Sequence, residues 1–471
     1  MIRLRHEPRL LWGGYFAQEA QGWWEEWMKK ADEVLADEEL LESVYQAQGR
    51  RRPQSRRRGR KQTPAEVLLR LMVLKHVRNW SFQELEREVR ANVVYRQFTR
   101  IEAEKVPDAK TMGRLGQVLG PGVVRQIHQR IVALAQEKKV VRGRKLRVDT
   151  TVVETNIHYP TDSSLLGDGV RVLTRTMKKI TAVTGQVGTR LRNRMRAVGH
   201  RVMEIARASR SQGPPREEKL KRGYRRLLTG TRQVVNQALR FSREIGSGVK
   251  RAADRRRQVV LQGLQEQLET MIPLVKQVIR QAKRRVLGGD AHVPEKLVSL
   301  FEPSTEVIRK GKASKPTEFG KMVKIQEAEN QIITDYEVFE KRPHDSEVLV
   351  PLVRSHQQQF GKVPDLVAAD AGFYSAANER ALEEMGVKRI SIPNRSTKRA
   401  ERRRYQKKRW FRKGQKWRTG SEGRISLLKR RHGLNRCRYR GDDGMRRWVG
   451  FGVIADNLIN IGRFLALTDT G

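Results

Sequence analysis

The stretch that most constrains the fold of this 471-residue chain is KLRVDTTVVETNIHYPTDS, residues 145–163. Aliphatic and β-branched side chains dominate its first ten positions, which predicts a β-strand in a chain whose other segments mostly show helical periodicity. One acid, Asp149, lies in the middle of this strand. Burying a carboxylate there is costly unless a cation, hydrogen-bond donors or a metal ion compensates its charge. Asp149 is therefore either a salt-bridged structural aspartate or part of a site.

A second acid in similar surroundings favours the interpretation that Asp149 is part of a functional site. Asp370 follows the short apolar run LVAA, and it is followed by Gly372 and by a helical pattern from about Ala376 to Met385. This arrangement predicts a strand that ends in an acid, at the position where α/β sheets usually build their sites. A third acid, Glu422, lies beside the apolar face of a predicted helix. The three acids come from separate elements and could converge in the fold.

The residues around these acids resemble a known family. The Asp149 strand, the strand followed by Asp370 and the Arg-x3-Glu-x6-Lys spacing within residues 418–429 resemble insertion-sequence transposases of the DDE type. The resemblance preserves the order of the motifs across most of the chain. It implies an RNase H-like catalytic core in which Asp149, Asp370 and Glu422 form the catalytic triad. Many relatives have a tyrosine three residues before the arginine of the last motif, where this chain has Gln415.

The order of the patterns predicts an α/β fold. It consists of an RNase H-like mixed sheet flanked by helices, an N-terminal helical DNA-binding region, and a long all-helical insertion after the first strand. The expected domains are an N-terminal helix and basic linker at 1–62, a helical DNA-binding region at 63–140, a catalytic core at 141–164 and 297–471, and the helical insertion at 165–296.

The DNA-binding region is predicted to resemble a helix-turn-helix. Two short helical patterns flank a turn at Asn79, and Ser81 with Glu84 three residues later forms a capping-box signature for the second helix. The same pattern is common in proteins that do not bind DNA, which leaves a purely structural helix pair as the alternative.

Positive charge dominates the composition. The chain has 98 lysines and arginines against 52 acids, a formal net charge of +46. Such an excess usually reflects a polyanionic partner, either nucleic acid or an anionic membrane surface. The most apolar stretch, residues 448–466, is interrupted by charged and amide side chains and predicts an amphipathic helix, so we expect no membrane association. The first residues show no signal-peptide pattern, and we expect a cytoplasmic, nucleoid-associated protein of bacterial type.

The residue types available for metal binding favour oxygen ligands. Cys437 is the only cysteine, and the 9 histidines include no closely spaced pair, which argues against a disulfide framework or a zinc site. Three carboxylates brought together cannot all stay ionised without cations, and Mg²⁺ prefers such ligands. We expect two Mg²⁺ ions, with Mn²⁺ able to substitute. In this hypothesis Asp149 bridges both ions, and Asp370 and Glu422 each complete one.

Residues 394–418 interleave aromatic side chains with many cations. This mixture suits a nucleic-acid groove, because cations neutralise phosphates and aromatic faces stack on exposed bases. A solvated basic loop with buried aromatic anchors is the alternative. The residues predicted to contact DNA are Arg418, Lys429, Arg436, Arg438, Arg440, Trp410 and Lys145.

The function predicted from these observations is that of a DNA transposase, which carries out metal-dependent strand cleavage and strand transfer at the ends of an insertion sequence. Its expected partners are double-stranded DNA, as terminal repeats and as target, and further copies of the chain assembled on that DNA. One alternative is an RNase H-like metal-dependent nuclease or resolvase. Another is a non-catalytic basic DNA-binding relative in which the acids are structural.

Overall fold

The computed structural model of the chain forms two compact units. It describes residues 2–5, 21–51, 54, 62–102, 104–184, 189–213, 215–249, 254–290, 292–309 and 316–469. The first unit joins Met1–Asn156 to Lys310–Gly471, and the second, Ile157–Arg309, is inserted between these two segments. Most of the predicted basic linker, residues 50–62, lies outside the described residues.

The first unit begins with helices that share one hydrophobic core. Their bounds are α1 Glu26–Leu35, α2 Glu38–Arg51, α3 Ala65–Val77, α4 Phe82–Ala91, α5 Val93–Phe98, α6 Ala109–Val118 and α7 Pro121–Glu137. Ser81 and Glu84 form the predicted capping box at the start of α4. Asn79 lies in the turn before α4 with a positive φ of 53°, a left-handed conformation that asparagine adopts more readily than most residues.

A mixed sheet follows the N-terminal helices. Its strands in the first unit are β1 Lys145–Glu154, β3 Thr317–Glu327, β4 Ile333–Val338, β5 Leu366–Ala368 and β6 Arg389–Ser391, and a further short strand, β2 Glu306–Arg309, ends the second unit. The strand order within the first unit is β3-β1-β5-β6, and β4 pairs with β3. β1 is antiparallel to β3 and parallel to β5. β3 and β4 form an antiparallel hairpin.

Helices flank this sheet, as the sequence predicted. They are α12 Asp345–Phe360, α13 Ala376–Glu384, α14 Ala400–Lys407, α15 Arg409–Arg431 and α16 Gly441–Asp469. α15 packs across β1, β5 and β6, and α16 packs among the N-terminal helices. The segment Gly441–Thr468 of α16 is long and apolar enough to cross a membrane, but 72% of its most apolar window is buried inside the protein. It is therefore a core helix of this unit.

The second unit is built from long helices. These are α8 Asp162–Thr184, α9 Met195–Arg210, α10 Pro215–Val249 and α11 Arg255–Ala282, and a short π-helical turn, Lys283–Leu287, extends α11. Apolar side chains of α11 between Leu261 and Ile279 are buried in the core of this bundle. The predicted all-helical insertion after the first strand is therefore confirmed.

Candidate active site

Strand register brings Asp149 and Asp370 together. In the parallel pair of β1 and β5, Arg147 lies opposite Ala368. Asp149 and Asp370 are each two residues further along, and side chains two positions apart point to the same face of a sheet. Neighbouring strands lie about 4.8 Å apart, so this register places the two carboxylates side by side, next to the carboxyl end of β5.

Asp149 is held by three donor groups around one carboxylate. Its Oδ1 accepts a hydrogen bond from the Thr150 amide at 2.7 Å, and its Oδ2 accepts one from the Ser421 hydroxyl at 3.1 Å. A guanidinium nitrogen of Arg418 lies 4.0 Å from the same Oδ2. Burial still raises the pKa of Asp149, and the negative charge of Asp370 adds to that shift. The two aspartates therefore form a repulsive pair that a cation would relieve.

Asp370 is fixed by the turn that follows its strand. Its Oδ1 accepts a hydrogen bond from the Gly372 amide at 2.8 Å. A Cβ atom at Gly372 would lie 3.1 Å from Oδ1 of Asp370 and 3.1 Å from Oδ2 of Asp345, the first residue of α12. The Thr150 hydroxyl donates to the other oxygen of Asp345 at 3.5 Å. Asp345 thus lies beside Thr150 and Gly372, next to the aspartate pair.

Glu422 reaches the same region from α15. Its side chain is 62% exposed, and its Oε1 accepts a hydrogen bond from Arg418 at 3.1 Å. Arg418 is one helical turn before Glu422 and is only 14% exposed, between the carboxylates of Asp149 and Glu422. Lys429 lies on the same helix face, with its ammonium 4.0 Å from a carboxylate oxygen of Glu318.

Two sets of contacts fix the position of α15. Gln415 donates hydrogen bonds to the carbonyl oxygens of Ala369 and Ser391, which ties the helix to the ends of β5 and β6. Gly414 lets the helix approach closely, since a Cβ atom there would lie 2.7 Å from Cβ of Ser391. The glutamine that replaces the tyrosine of many relatives therefore has a structural contact.

The buried face of α15 also takes part in a series of ion pairs. Arg424 donates to Asp456 of α16 at 2.9 Å, and its Nε lies 4.0 Å from the carboxylate of Glu327. Glu327 in turn accepts hydrogen bonds from Arg147 on β1. Burial raises the pKa of Glu327, and Arg147 and Arg424 oppose that shift. These pairs link α15 to the sheet and to α16.

The three predicted catalytic acids line one open cleft of about 1300 Å³. Arg418, Lys429, Arg436 and Arg438 also line it, whereas Arg440, Trp410 and Lys145 are not among its lining residues. Trp410 packs against Tyr405 and Phe411. The remaining lining residues are Asn79, Thr150, Thr151, Glu154, Asn156, Ile425, Ser426, Arg430, Gly433 and Asn435.

Asn79 is one of the lining residues that the sequence did not predict for the site, since the pattern there indicates only a turn. The backbone oxygen of Asn79 accepts a hydrogen bond from Arg438 at 3.2 Å. Its side-chain Oδ1 is buried without a hydrogen-bond partner among the described residues, against Gly433, where a Cβ atom would lie 2.6 Å away. A loop of the N-terminal helical region therefore forms part of the cleft wall.

The donor chemistry of the cleft suits a hard divalent cation. Asp149 and Asp370 present adjacent carboxylates, and burial, with a smaller contribution from the charge of Asp370, raises the pKa of Asp149. Within the described ranges, no three histidine, cysteine or acidic side chains are grouped closely enough to hold one metal ion. The aspartate pair therefore offers carboxylate oxygens to the cleft, and Glu422 lines the same cleft in contact with Arg418.

Comparisons with protein families match two segments of the chain. The model described as Transposase domain (DUF772) matches residues 26–117, and the model described as Transposase DDE domain matches residues 304–458. The first segment contains Asn79, and the second contains Asp370 and Glu422. Comparisons with curated proteins and with solved structures find no match.

Proposed function

This chain belongs to the insertion-sequence transposases of the DDE type, with an RNase H-like catalytic core, and we propose that Asp149, Asp370 and Glu422 are its catalytic triad. As a transposase it acts on DNA, cleaving and transferring strands with the help of divalent metal. Nothing favours the resolvase or the non-catalytic alternative. The observation that carries the assignment of the triad is the parallel register of β1 and β5, which aligns two acids beside the helix that bears the third.

The aspartate pair is the proposed metal-binding centre. We propose that Asp149 and Asp370 hold Mg²⁺, that two ions bind, and that Glu422 supplies a further ligand. Divalent ions bound there would activate the attacking oxygen and stabilise the leaving oxygen during in-line displacement at phosphorus. The attacking group is water in strand cleavage and a DNA 3′-hydroxyl in strand transfer. Ser421 and the Thr150 amide orient the Asp149 carboxylate for this role.

Arg418 has two proposed roles. Its guanidinium lies between Asp149 and Glu422, where it offsets their mutual repulsion in the DNA-free protein. When DNA enters, the same guanidinium can hold a phosphate beside the scissile one, since bidentate guanidinium–phosphate pairs are strong and directional. Moving Arg418 onto a phosphate would leave Glu422 available as a ligand.

Further side chains of the cleft bind the DNA backbone in this proposal. Lys429, Arg436 and Arg438 neutralise phosphates. Asn79 adds an uncharged donor, because its side-chain nitrogen makes no hydrogen bond within the described part of the chain and can donate to a phosphate oxygen. Arg440, Trp410 and Lys145 stay predicted DNA contacts outside the cleft.

The more specific partners follow from this function. We propose that the DNA consists of the terminal repeats of the chain's own element together with target DNA. Paired ends require at least two active sites, so we propose that the protein works as a homo-oligomer on DNA in the nucleoid.

The test is an assay of strand cleavage and strand transfer on labelled ends of the chain's own element in Mg²⁺. Asp149→Asn, Asp370→Asn and Glu422→Gln should each reduce product formation by roughly a thousandfold or more, because each removes a ligand whose metal contributes several kcal/mol to the transition state. A chelator should have the same effect.

Glu340→Gln provides a matched acid-to-amide control. Glu340 belongs to the same unit, pairs with Arg446 and is 81% exposed outside the cleft, so its variant should cleave like the wild type. Equal products from the wild type, the three cleft variants and the chelated reaction would rule out the proposed triad.

A further inference from the structure

The second unit carries a cationic stripe on its longest helix. Residues 219–243 of α10 contain eight lysines or arginines and no aspartate or glutamate. The stripe consists of Arg225, Arg232, Arg240 and Arg243, all exposed. At about 100° per residue these four positions fall on one face of the helix, roughly 27 Å long. The opposite face, which includes Leu227, Val234 and Phe241, is buried in the bundle.

The arginines of this stripe have no acidic partner in the described part of the chain. Among those residues, no carboxylate lies within 4.0 Å of the guanidinium of any of the four. Other exposed cations of the unit do have such partners, as Arg171 has in Asp168 and Arg284 in Asp290. Exposed helix faces usually mix both signs of charge, because a single-sign row repels itself. The absence of acids along the stripe therefore indicates an anionic partner.

We propose that this stripe binds the phosphate backbone of double-stranded DNA independently of sequence, at a surface separate from the catalytic cleft. The proposal rests on the transposase function for the identity of the polyanion. A second copy of this chain would not fit, since each copy carries a net charge of +46.

The spacing of the stripe supports a duplex. Arg225, Arg232 and Arg240 are separated by seven and eight residues, roughly 11–12 Å along the helix axis. The major groove of B-DNA is about 12 Å wide, so a helix that lies across it can place successive guanidinium groups on phosphates of opposite strands. Asn236 lies between Arg232 and Arg240 on the same exposed face and offers a neutral donor.

The test compares two double variants of the full chain that lose the same charge from the same unit. Arg232→Gln/Arg240→Gln removes two cations of the stripe, and Arg171→Gln/Arg284→Gln removes two exposed cations that have acidic partners. Affinity for a long duplex is measured without divalent metal from 50 to 200 mM salt. Two lost phosphate contacts should make the slope of log K against log salt shallower by about 1.8, with roughly tenfold or more weaker binding at 50 mM.

The control variant should retain the wild-type slope. Equal effects of the two double variants, or no effect of either, would overturn the proposal. Binding to phosphatidylserine vesicles that depends on the stripe, together with unchanged DNA affinity, would overturn it in favour of a membrane surface.

Cleavage of a short element end by the same proteins separates this proposal from the catalytic one. A shallower salt slope in the stripe variant supports DNA binding by the stripe even if the wild type cleaves no DNA, in which case only the catalytic assignment fails. Normal cleavage together with an unchanged salt slope in the stripe variant would overturn DNA binding by the stripe and leave the catalytic assignment intact.

Discussion

Asn79 links two parts of the first unit through a single side chain. It lies in the turn between α3 and α4, yet it lines the cleft beside Arg438 and Gly433. Its positive φ of 53° is sterically unfavourable for most residues but accessible to asparagine and glycine. The backbone conformation and the amide group can therefore be tested separately.

Replacing Asn79 by glycine should weaken DNA binding without loss of stability. Glycine keeps the left-handed backbone, and the lost hydrogen bond to a charged group corresponds to about 1.5–3 kcal/mol, or roughly tenfold or more in affinity. Asn79→Ala should show the same loss of affinity and a further destabilisation of about 1–2 kcal/mol from backbone strain. DNA affinity by titration and unfolding by urea measure the two effects.

Asn330→Gly is the matched control for this prediction. Asn330 also has a φ of 53°, and it binds the carbonyl oxygen of Val140 rather than lining the cleft. Its variant should keep the wild-type affinity for DNA. If Asn79→Gly binds DNA as tightly as Asn330→Gly, the amide of Asn79 makes no contact with DNA.

The position of α15 determines whether Glu422 reaches Asp149 and Asp370. It presents Arg418, Glu422 and Lys429 to the cleft, and its other face packs on the sheet through Gly414 and Arg424. Because a helix is a rigid rod, a shift at its sheet contact moves every side chain that it carries. The geometry of the cleft therefore depends on residues that do not line it.

Gly414→Ala should displace α15 and impair cleavage. The new methyl group would lie 2.7 Å from Cβ and Oγ of Ser391 in a buried contact, and overpacking of this kind costs about 1–3 kcal/mol. We expect a lower free energy of unfolding in urea and reduced cleavage of element ends.

Gly423→Ala tests the same substitution on the exposed side of α15. No atom lies within 4 Å of a Cβ at Gly423, so the alanine should stabilise the helix by up to about 1 kcal/mol. Cleavage should stay at the wild-type level. Equal destabilisation by the two alanines would show that the contact with Ser391 does not position the helix.

The whole molecule combines a large excess of positive charge with buried histidine and aspartate side chains whose burial favours their uncharged forms. Burial lowers the pKa of His128 to about 4 and that of His432 to about 4, and it also lowers the pKa of His76. Asp456 shows the opposite shift, because burial raises its pKa to about 6. The dependence of stability on pH is therefore a sum of opposing contributions, and single variants are needed to separate them.

His128→Gln should reduce the dependence of the free energy of unfolding on pH in the acidic range. Unfolded histidine takes up a proton near pH 6.5, whereas folded His128 does so only near pH 4, so its stabilising contribution is complete above about pH 6.5 and is lost as pH falls toward 4. Between these values the variant should lose stability more slowly than the wild type, by up to about 1.4 kcal/mol per pH unit.

Urea unfolding at several pH values measures this difference. Exposed His200→Gln is the control and should follow the wild-type curve. Parallel curves for the wild type and His128→Gln would contradict the shift that burial imposes on His128.

The sequence by itself determined the elements and the family. Local sequence patterns predicted the strands before Asp370 and around Asp149 and the capping box at Ser81. The motif order and the charge predicted a DNA transposase with a helical insertion, and the family matches confirm that function. The roles of the individual site residues stay predictions.

Only the tertiary structure decided which side chains meet. The register of β1 against β5, the place of Arg418 between Asp149 and Glu422, and the arrival of Asn79 at the cleft join residues that are far apart in the chain. Such contacts depend on how complete elements pack, and a local pattern carries no information about that packing. For the same reason, the opposing burial shifts of His128 and Asp456 could be read only from the folded interior.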